Sequence, residues 1–228
     1  MTILSGDGLM FLLRWGHFLA GVTWIGMLWY FNLVQGPFFN ETDAETKKNA
    51  TQKLVPRALW WFRWGAMFTI ITGWLIVGDR WGRMGIDFLT TSYGVTILTG
   101  GIMGTIMWAN VWFVIWPAQK VVIAAAKGES VSGAAERGRR AFLASRTNTL
   151  FSIPMLFYMG AASHLPVPIE NPVWIWAVVA GLIMLLIEIN ALTATKGITT
   201  QPIETVKGVI TSGVILSIVL YVLLEVLL

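Results

Sequence analysis

The chain has 228 residues, of which 56% are hydrophobic and only 12% are charged. A soluble domain carries roughly 25% charged residues, so this chain has about half the charge that a water-exposed surface needs. This composition excludes an ordinary soluble enzyme and a disordered chain, and the net charge of +4 does not indicate a nucleic-acid-binding protein. The absence of cysteine excludes disulfides, thiolate metal sites, iron–sulfur clusters and a covalently attached c-type haem. The composition therefore predicts a polytopic membrane protein.

Long apolar runs follow one another along the chain, and each is long enough to cross a bilayer as a helix. A transmembrane helix needs about 20 apolar residues, whereas barrel strands are about 10 residues long and alternate in polarity. The first run is too long for a cleaved signal peptide and carries Arg14 in its interior. The predicted fold class is an all-α polytopic membrane helix bundle, a single integral membrane domain over residues 1–228. Its six predicted spans are about 9–35, 59–78, 94–118, 149–165, 173–193 and 207–228.

Lysine and arginine residues are distributed unequally between the two sides of this predicted bundle. Twelve fall in the connections after the first, third and fifth spans, and only Arg80 and Arg83 fall in the opposite connections. By the positive-inside rule the side with twelve charges is cytoplasmic, which places both termini in the periplasm of a bacterium with the chain in its inner membrane. The connections predict a helical cytoplasmic loop over 120–146, a shorter surface helix within 40–53 and a tight outer turn at 166–172.

The two histidines of the chain, His17 and His164, both fall near the outer ends of predicted spans. An ionisable group inside a membrane costs a few kcal/mol, so it usually has a partner or a function. At 1.5 Å per residue His17 lies about 12 Å inside the first run, while His164 lies almost at a boundary. This mismatch largely closes if the surplus length of the first run projects outward.

The neighbours of the histidines suggest a slot for a planar cofactor. Gly21 follows His17 by one turn and Gly160 precedes His164 by one turn, so two facing histidines would border a flat space that suits a porphyrin and its axial ligands. Arg14 lies on the same face, where it could pair with a haem propionate, and Trp24 would line that face. The candidate cofactor-binding residues are therefore His17, His164, Arg14, Gly21, Trp24 and Gly160, with His17 and His164 as iron ligands.

Other interpretations of these residues remain open. Each histidine could make an ordinary interhelical hydrogen bond, with the glycines serving helix packing. Zinc or copper is less well supported, because two imidazoles without a nearby carboxylate or thiolate leave such a metal short of ligands. The alternative axial ligands for a haem are three methionines, Met10, Met155 and Met159.

A second polar group lies toward the cytoplasmic side of the predicted bundle. It could bind a planar polar substrate or a quinone head group, although helix capping is the favoured interpretation. Its members are Asn32, Gln35, Asn110, Gln119, Ser145, Arg146, Asn148 and Ser152. Nearby, Arg63 either pairs with Glu188 or extends to the inner interface, and the second interpretation is favoured.

Several segments resemble the membrane domain of the cytochrome-c-linked urate oxidases (PuuD, urate oxidase N-terminal family). They are LLRWGHFLAGVTWIGMLWYFN (12–32), LWWFRWGAMFTIITGWL (59–75), MWANVWFVIWPAQK (107–120) and SRTNTLFSIPMLFYMGAASH (145–164). The resemblance covers most of residues 9–165 and thins out beyond them. The histidine followed by Trp-Ile-Gly in the first span also resembles the HemJ-type protoporphyrinogen oxidases, which are haem-binding membrane helix bundles.

The resemblance implies a multi-span oxidoreductase domain that passes electrons toward cytochrome c, with Arg14, His17, Trp24 and His164 at its site and heme b as the cofactor. The full-length urate enzymes carry a cytochrome c domain, and this sequence has no Cys-x-x-Cys-His motif. Electrons are therefore expected to leave through a separate cytochrome c, a quinone or a larger membrane complex, and the resemblance does not settle that the substrate is urate. The rival interpretation is a non-catalytic membrane subunit or scaffold of a respiratory or oxidase complex.

Overall fold

The computed structural model describes residues 2–228, which form an all-α bundle and contain no β-strand. This confirms the predicted fold class. Two short 3-10 helices, Thr2–Leu4 and Gly85–Thr90, accompany the α-helices. The α-helices are α1 (Gly6–Glu41), α2 (Ala44–Lys53), α3 (Val55–Met84), α4 (Ser92–Ala126), α5 (Ala134–His164), α6 (Val173–Thr193), α7 (Gln201–Glu204) and α8 (Val206–Leu227).

The six long helices alternate in direction around α5, which is the most enclosed of them. Hydrogen bonds join Trp29 and Asn32 of α1 to Ser152 and Ser145 of α5, so the residue numbers rise in one helix as they fall in the other. The contacts of the other helices show that α1, α4 and α6 run one way and α3, α5 and α8 run the other. This alternation is what a chain that crosses a membrane at every long helix requires.

Four of these helices, α1, α4, α6 and α8, are long and apolar enough to cross a membrane. They contain the first, third and fifth predicted spans and all but the last residue of the sixth. The second predicted span lies within α3, and the fourth ends one residue beyond α5; these two helices are 30 and 31 residues long but more polar. The protein is therefore a membrane helix bundle, while the count of six crossings stays a prediction.

Two π-helical turns interrupt the longest helices at equivalent places. They span Tyr30–Gln35 in α1 and Asn110–Ile115 in α4, and each ends two residues before a proline, Pro37 or Pro117. A proline ring clashes with the carbonyl four residues earlier, and the wider π turn relieves that clash. Because each turn carries a buried asparagine, the two helices present matching amide groups to the core.

The connections match the sequence predictions in part. The predicted helical loop over 120–146 is a hairpin, in which α4 ends at Ala126, α5 begins at Ala134 and the residues between them are not helical. Gly128 and Gly133 adopt positive φ angles of 89° and 71°, which reverse the chain there. The predicted surface helix within 40–53 is α2, and no helix covers the predicted outer turn at 166–172.

One arginine holds the connection between α6 and α8 against α5. Arg139 donates from Nε to the Thr195 carbonyl at 2.7 Å and forms an ion pair with Glu204 of α7. The hydrogen bonds from this guanidinium hold the pKa of the Glu204 carboxyl below its ordinary value. Arg139 thereby fixes the connection between α6 and α8 to α5, on the side of the bundle that is predicted to be cytoplasmic.

Candidate functional site

His17 lies half-buried in the interface between α1 and α3, where two groups of α3 hold its ring. The His17 Nδ1 atom lies 3.0 Å from the Thr69 carbonyl oxygen and 3.0 Å from the Thr72 Oγ1. The Thr72 hydroxyl donates its own proton to the Phe68 carbonyl at 2.6 Å, so it accepts from the imidazole. This network assigns the proton of the neutral ring to Nδ1 and leaves the Nε2 lone pair free.

Two glycines of α3 make this close approach of α1 feasible. A Cβ atom at Gly73 would lie 3.0 Å from the His17 Cε1 atom, and one at Gly65 would lie 3.0 Å from the Trp24 backbone nitrogen. Small residues at such positions let two helices approach closely within a membrane. Trp24 is fully buried, and its backbone lies against Gly65 at this crossing.

His164 lies exposed at the end of α5. Its Nδ1 atom is 2.9 Å from the Gly160 carbonyl oxygen of the same helix. A carbonyl only accepts, so Nδ1 carries the proton of the neutral ring and its Nε2 lone pair is also free. Both histidines therefore show the arrangement common among metal-ligating imidazoles, in which a backbone carbonyl fixes the other ring nitrogen.

The register of α1 against α5 places the two histidines at the same level of the bundle. His17 precedes Trp29 by twelve residues, and His164 follows Ser152, the hydrogen-bond partner of Trp29, by twelve residues. Each histidine therefore lies about 18 Å from that hydrogen bond, toward the end of the bundle that is predicted to face outward. Because an α-helix turns by about 120° beyond full turns over twelve residues, each histidine side chain points about 120° away from the line that joins the two helices. The structure thus matches the depths of the two imidazoles but does not bring the rings together.

The space beside each histidine is open at the predicted glycines. A Cβ atom at Gly21 or at Gly160 would meet no atom within 4 Å apart from its own helical neighbours. Arg14, one turn outward of His17, is exposed and has no ion-pair partner among residues 2–228. A free Nε2 atom, an open flank and a nearby cation fit a non-covalent haem at His17.

Two of the three alternative ligands, Met155 and Met159, lie away from His17, whereas Met10 lies two turns before His17 on α1. Met155 and Met159 pack against α4, where Cβ atoms at Gly104 and Gly100 would lie 3.5 Å from the Met155 Sδ atom and 3.3 Å from the Met159 Cε atom. Residues 2–228 contain no group of three or more His, Cys, Asp or Glu side chains placed to hold a metal ion.

The inner polar residues tie the helices together. Asn110 donates to the Asn148 Oδ1 atom at 2.9 Å and to the Glu188 Oε2 atom at 3.0 Å, and Asn148 donates to the Met107 carbonyl at 2.9 Å. This network joins α4, α5 and α6. The pair between Arg63 and Glu188, one of two predicted alternatives, is not formed.

Sequence reasoning missed the groups that hold His17. The sequence did carry a signal, because Thr69 and Thr72 are spaced like neighbours on one helix face and Gly65 and Gly73 border them. It missed the π turns as well, although an asparagine precedes a proline by five or seven residues in both helices. Neither the threonine and glycine spacing nor the asparagine–proline spacing shows which other helix will pack against these residues.

Comparison with known proteins identifies a family. The sequence model of the family described as urate oxidase N-terminal matches residues 85–223. No curated protein and no solved structure matches the chain. The prediction that the resemblance thins out beyond residue 165 is wrong, because the match continues through α6 into α8. His164 and Gly160 lie inside the matched segment, and His17, Arg14, Gly21 and Trp24 lie before it. Since the match covers about three fifths of the sequence, the chain belongs to the urate oxidase N-terminal family.

Proposed function

We propose that this chain is a membrane-embedded redox protein that binds one b-type haem through His17. The observation that carries the proposal is the fixed tautomer of His17, whose Nδ1–H is held by the Thr69 carbonyl and whose Nε2 lone pair is free. Non-covalent binding is required, because the chain has no cysteine. The cofactor would supply reversible one-electron chemistry.

The residues around His17 would hold and orient such a cofactor. The Thr69 carbonyl and the Thr72 hydroxyl would fix the ring plane and keep the Nε2 lone pair available. Gly21 leaves room beside the imidazole, and Arg14 offers a cation for a propionate at the outer end. His164 has the same tautomer at the same level, and it would become the second ligand if the outer end of α5 moved toward α1.

The number of axial histidines decides what the site would do. If both imidazoles held the haem, the group would supply electron transfer, and if His17 alone held it, the site would also have room for a small substrate. The separation of His17 from His164 supports the single-ligand form, with oxidation of a small molecule and transfer of its electrons to a separate cytochrome c or quinone. Family membership is what supports a urate-like substrate.

Substitution of Gly21 by leucine tests whether the open flank holds the cofactor. We expect Gly21→Leu to lower the haem bound per protein severalfold while the protein still folds, because the new side chain meets no protein atom within 4 Å of its Cβ. The measurement is the pyridine haemochrome assay on detergent-purified protein, with the thermal unfolding temperature recorded beside it.

The matched control is Gly26→Leu. Gly26 also has open space around its Cβ position but lies about 140° around α1 from Gly21. We expect it to keep the wild-type haem content. Equal haem content in wild type, Gly21→Leu and Gly26→Leu would contradict the placement of the cofactor beside Gly21. A colourless wild-type protein after expression with added haem would instead favour the scaffold interpretation.

A further inference from the structure

A basic and aromatic cluster lies between α3 and α4, away from both histidines. Arg63 of α3 lies with its Cζ atom 3.9 Å from the ring centroid of Trp116 and 5.3 Å from that of Trp112. Lys120 approaches the same Trp116 ring, with its Nζ atom 5.7 Å from the centroid. The Trp64 ring packs edge-on against Trp112 at 5.6 Å. The cluster is defined here as Arg63, Trp64, Trp112, Trp116 and Lys120.

The two cations of this cluster form no ion pair within residues 2–228. Both cations lie near the Trp116 ring, so the Arg63 Cζ and Lys120 Nζ atoms are less than about 10 Å apart. This separation is within one Debye length at 0.1 M salt. The ion pairs among residues 2–228 use Asp79 and Glu204, and neither involves the cluster. The Arg63 Nε atom is buried without a hydrogen-bond partner. Two nearby cations with unused donors are stabilised by a bound anion.

The surface beside the cluster is apolar and exposed along the length of α3. Phe68, Ile71 and Leu75 are 55%, 46% and 55% exposed and follow one another on one face. Trp61 on the same helix is 58% exposed, and Phe113 on α4 is 68% exposed. In a membrane protein such a face lies against acyl chains, whereas the cluster lies at the end of α3 that is predicted to be cytoplasmic.

We propose that this cluster binds the head group of an anionic phospholipid, with the acyl chains lying along the exposed face of α3. Phosphate oxygens accept from guanidinium and ammonium groups, and the Trp116 ring holds the Arg63 guanidinium in place for them. Basic pockets between membrane helices on the cytoplasmic side suit such head groups. This site is independent of any haem at His17.

The test compares binding of phosphatidylglycerol and phosphatidylcholine to the detergent-purified full chain by native mass spectrometry. We expect wild type to retain one phosphatidylglycerol in preference to phosphatidylcholine. The Lys120→Gln variant should bind phosphatidylglycerol roughly fivefold more weakly, and Arg63→Gln/Lys120→Gln on the order of thirtyfold more weakly. Lys120 is exposed, so its single substitution tests the site without disturbing the core.

The matched control is Lys48→Gln/Lys53→Gln, which removes two exposed lysines of α2 on the same predicted side of the membrane. It should bind phosphatidylglycerol like wild type. Equal weakening in this control and in Arg63→Gln/Lys120→Gln would overturn the proposal in favour of diffuse surface charge. Displacement of the lipid by millimolar inorganic phosphate would overturn it in favour of a site for free anions, and equal binding of the two lipids would also contradict it.

Discussion

We expect His17→Ala to lose its haem, and this is the largest effect that the structure predicts. The substitution removes the imidazole whose Nε2 lone pair is free at the site, and neither α1 nor α3 contains another histidine. The measurement is the ratio of Soret absorbance to protein absorbance after purification from cells supplied with haem. Addition of free imidazole should restore a Soret band, because the vacated space then accepts a small ligand.

His164→Ala and Asn148→Ala complete this experiment. If the single-ligand form is right, His164→Ala keeps most of its haem, and loss of haem in both histidine variants would establish two ligands. Asn148 is buried in a separate hydrogen-bond network, so Asn148→Ala should keep the cofactor even if the bundle loses some stability. Full haem retention in both histidine variants would contradict the ligand assignment.

We expect Gly65→Leu to lower the unfolding temperature more than any substitution on the exposed faces of the bundle. A side chain at Gly65 would start 3.0 Å from the Trp24 backbone nitrogen and 3.2 Å from the Trp24 Cα atom, and neither backbone atom can swing away as a side chain can. Overpacking of this kind costs about 1–3 kcal/mol. The measurement is thermal unfolding in detergent followed by circular dichroism.

The matched control for Gly65→Leu is Gly78→Leu on the same helix, where an added Cβ atom meets nothing within 4 Å. We expect that variant to unfold at the wild-type temperature or slightly above it, because leucine has a higher helix propensity than glycine. Gly65→Leu should also weaken haem binding, because it moves α1 and His17 away from Thr69 and Thr72. Identical unfolding temperatures for the two variants would show that α1 and α3 do not cross closely at Gly65.

The helices could be predicted from the sequence because each is a long apolar run, and a membrane protein reveals its helices through composition. The break between α4 and α5 was harder to predict. The segment 120–146 is rich in alanine, which outweighs the low helix propensity of residues 128–133 in a sum over the segment, yet Gly128 and Gly133 take conformations that residues with side chains rarely adopt. Helix propensity summed over a loop does not show where two glycines reverse the chain.

The sequence named the candidate residues of the site, but it could not predict how they are arranged. His17 and His164 were evident as the two histidines inside predicted spans, and their equal depth follows from the Trp29–Ser152 contact. That contact joins residues 123 positions apart, and helix rotation around it is set by packing rather than by local sequence. The sequence placed Trp24 on the same face as His17, and the structure shows that its side chain is fully buried and its backbone lies against Gly65.

The visible absorption spectrum of the purified wild-type protein, first oxidised and then reduced with dithionite, tests the central claim most directly. The single-ligand form of the proposal predicts a Soret band that shifts on reduction, with the broad visible bands of a five-coordinate b-type haem. Narrow, split α and β bands would establish two axial ligands and bring His164 to the iron. A protein that is colourless in both states, even after expression with added haem, would contradict the proposal and leave both histidines as structural residues of the bundle.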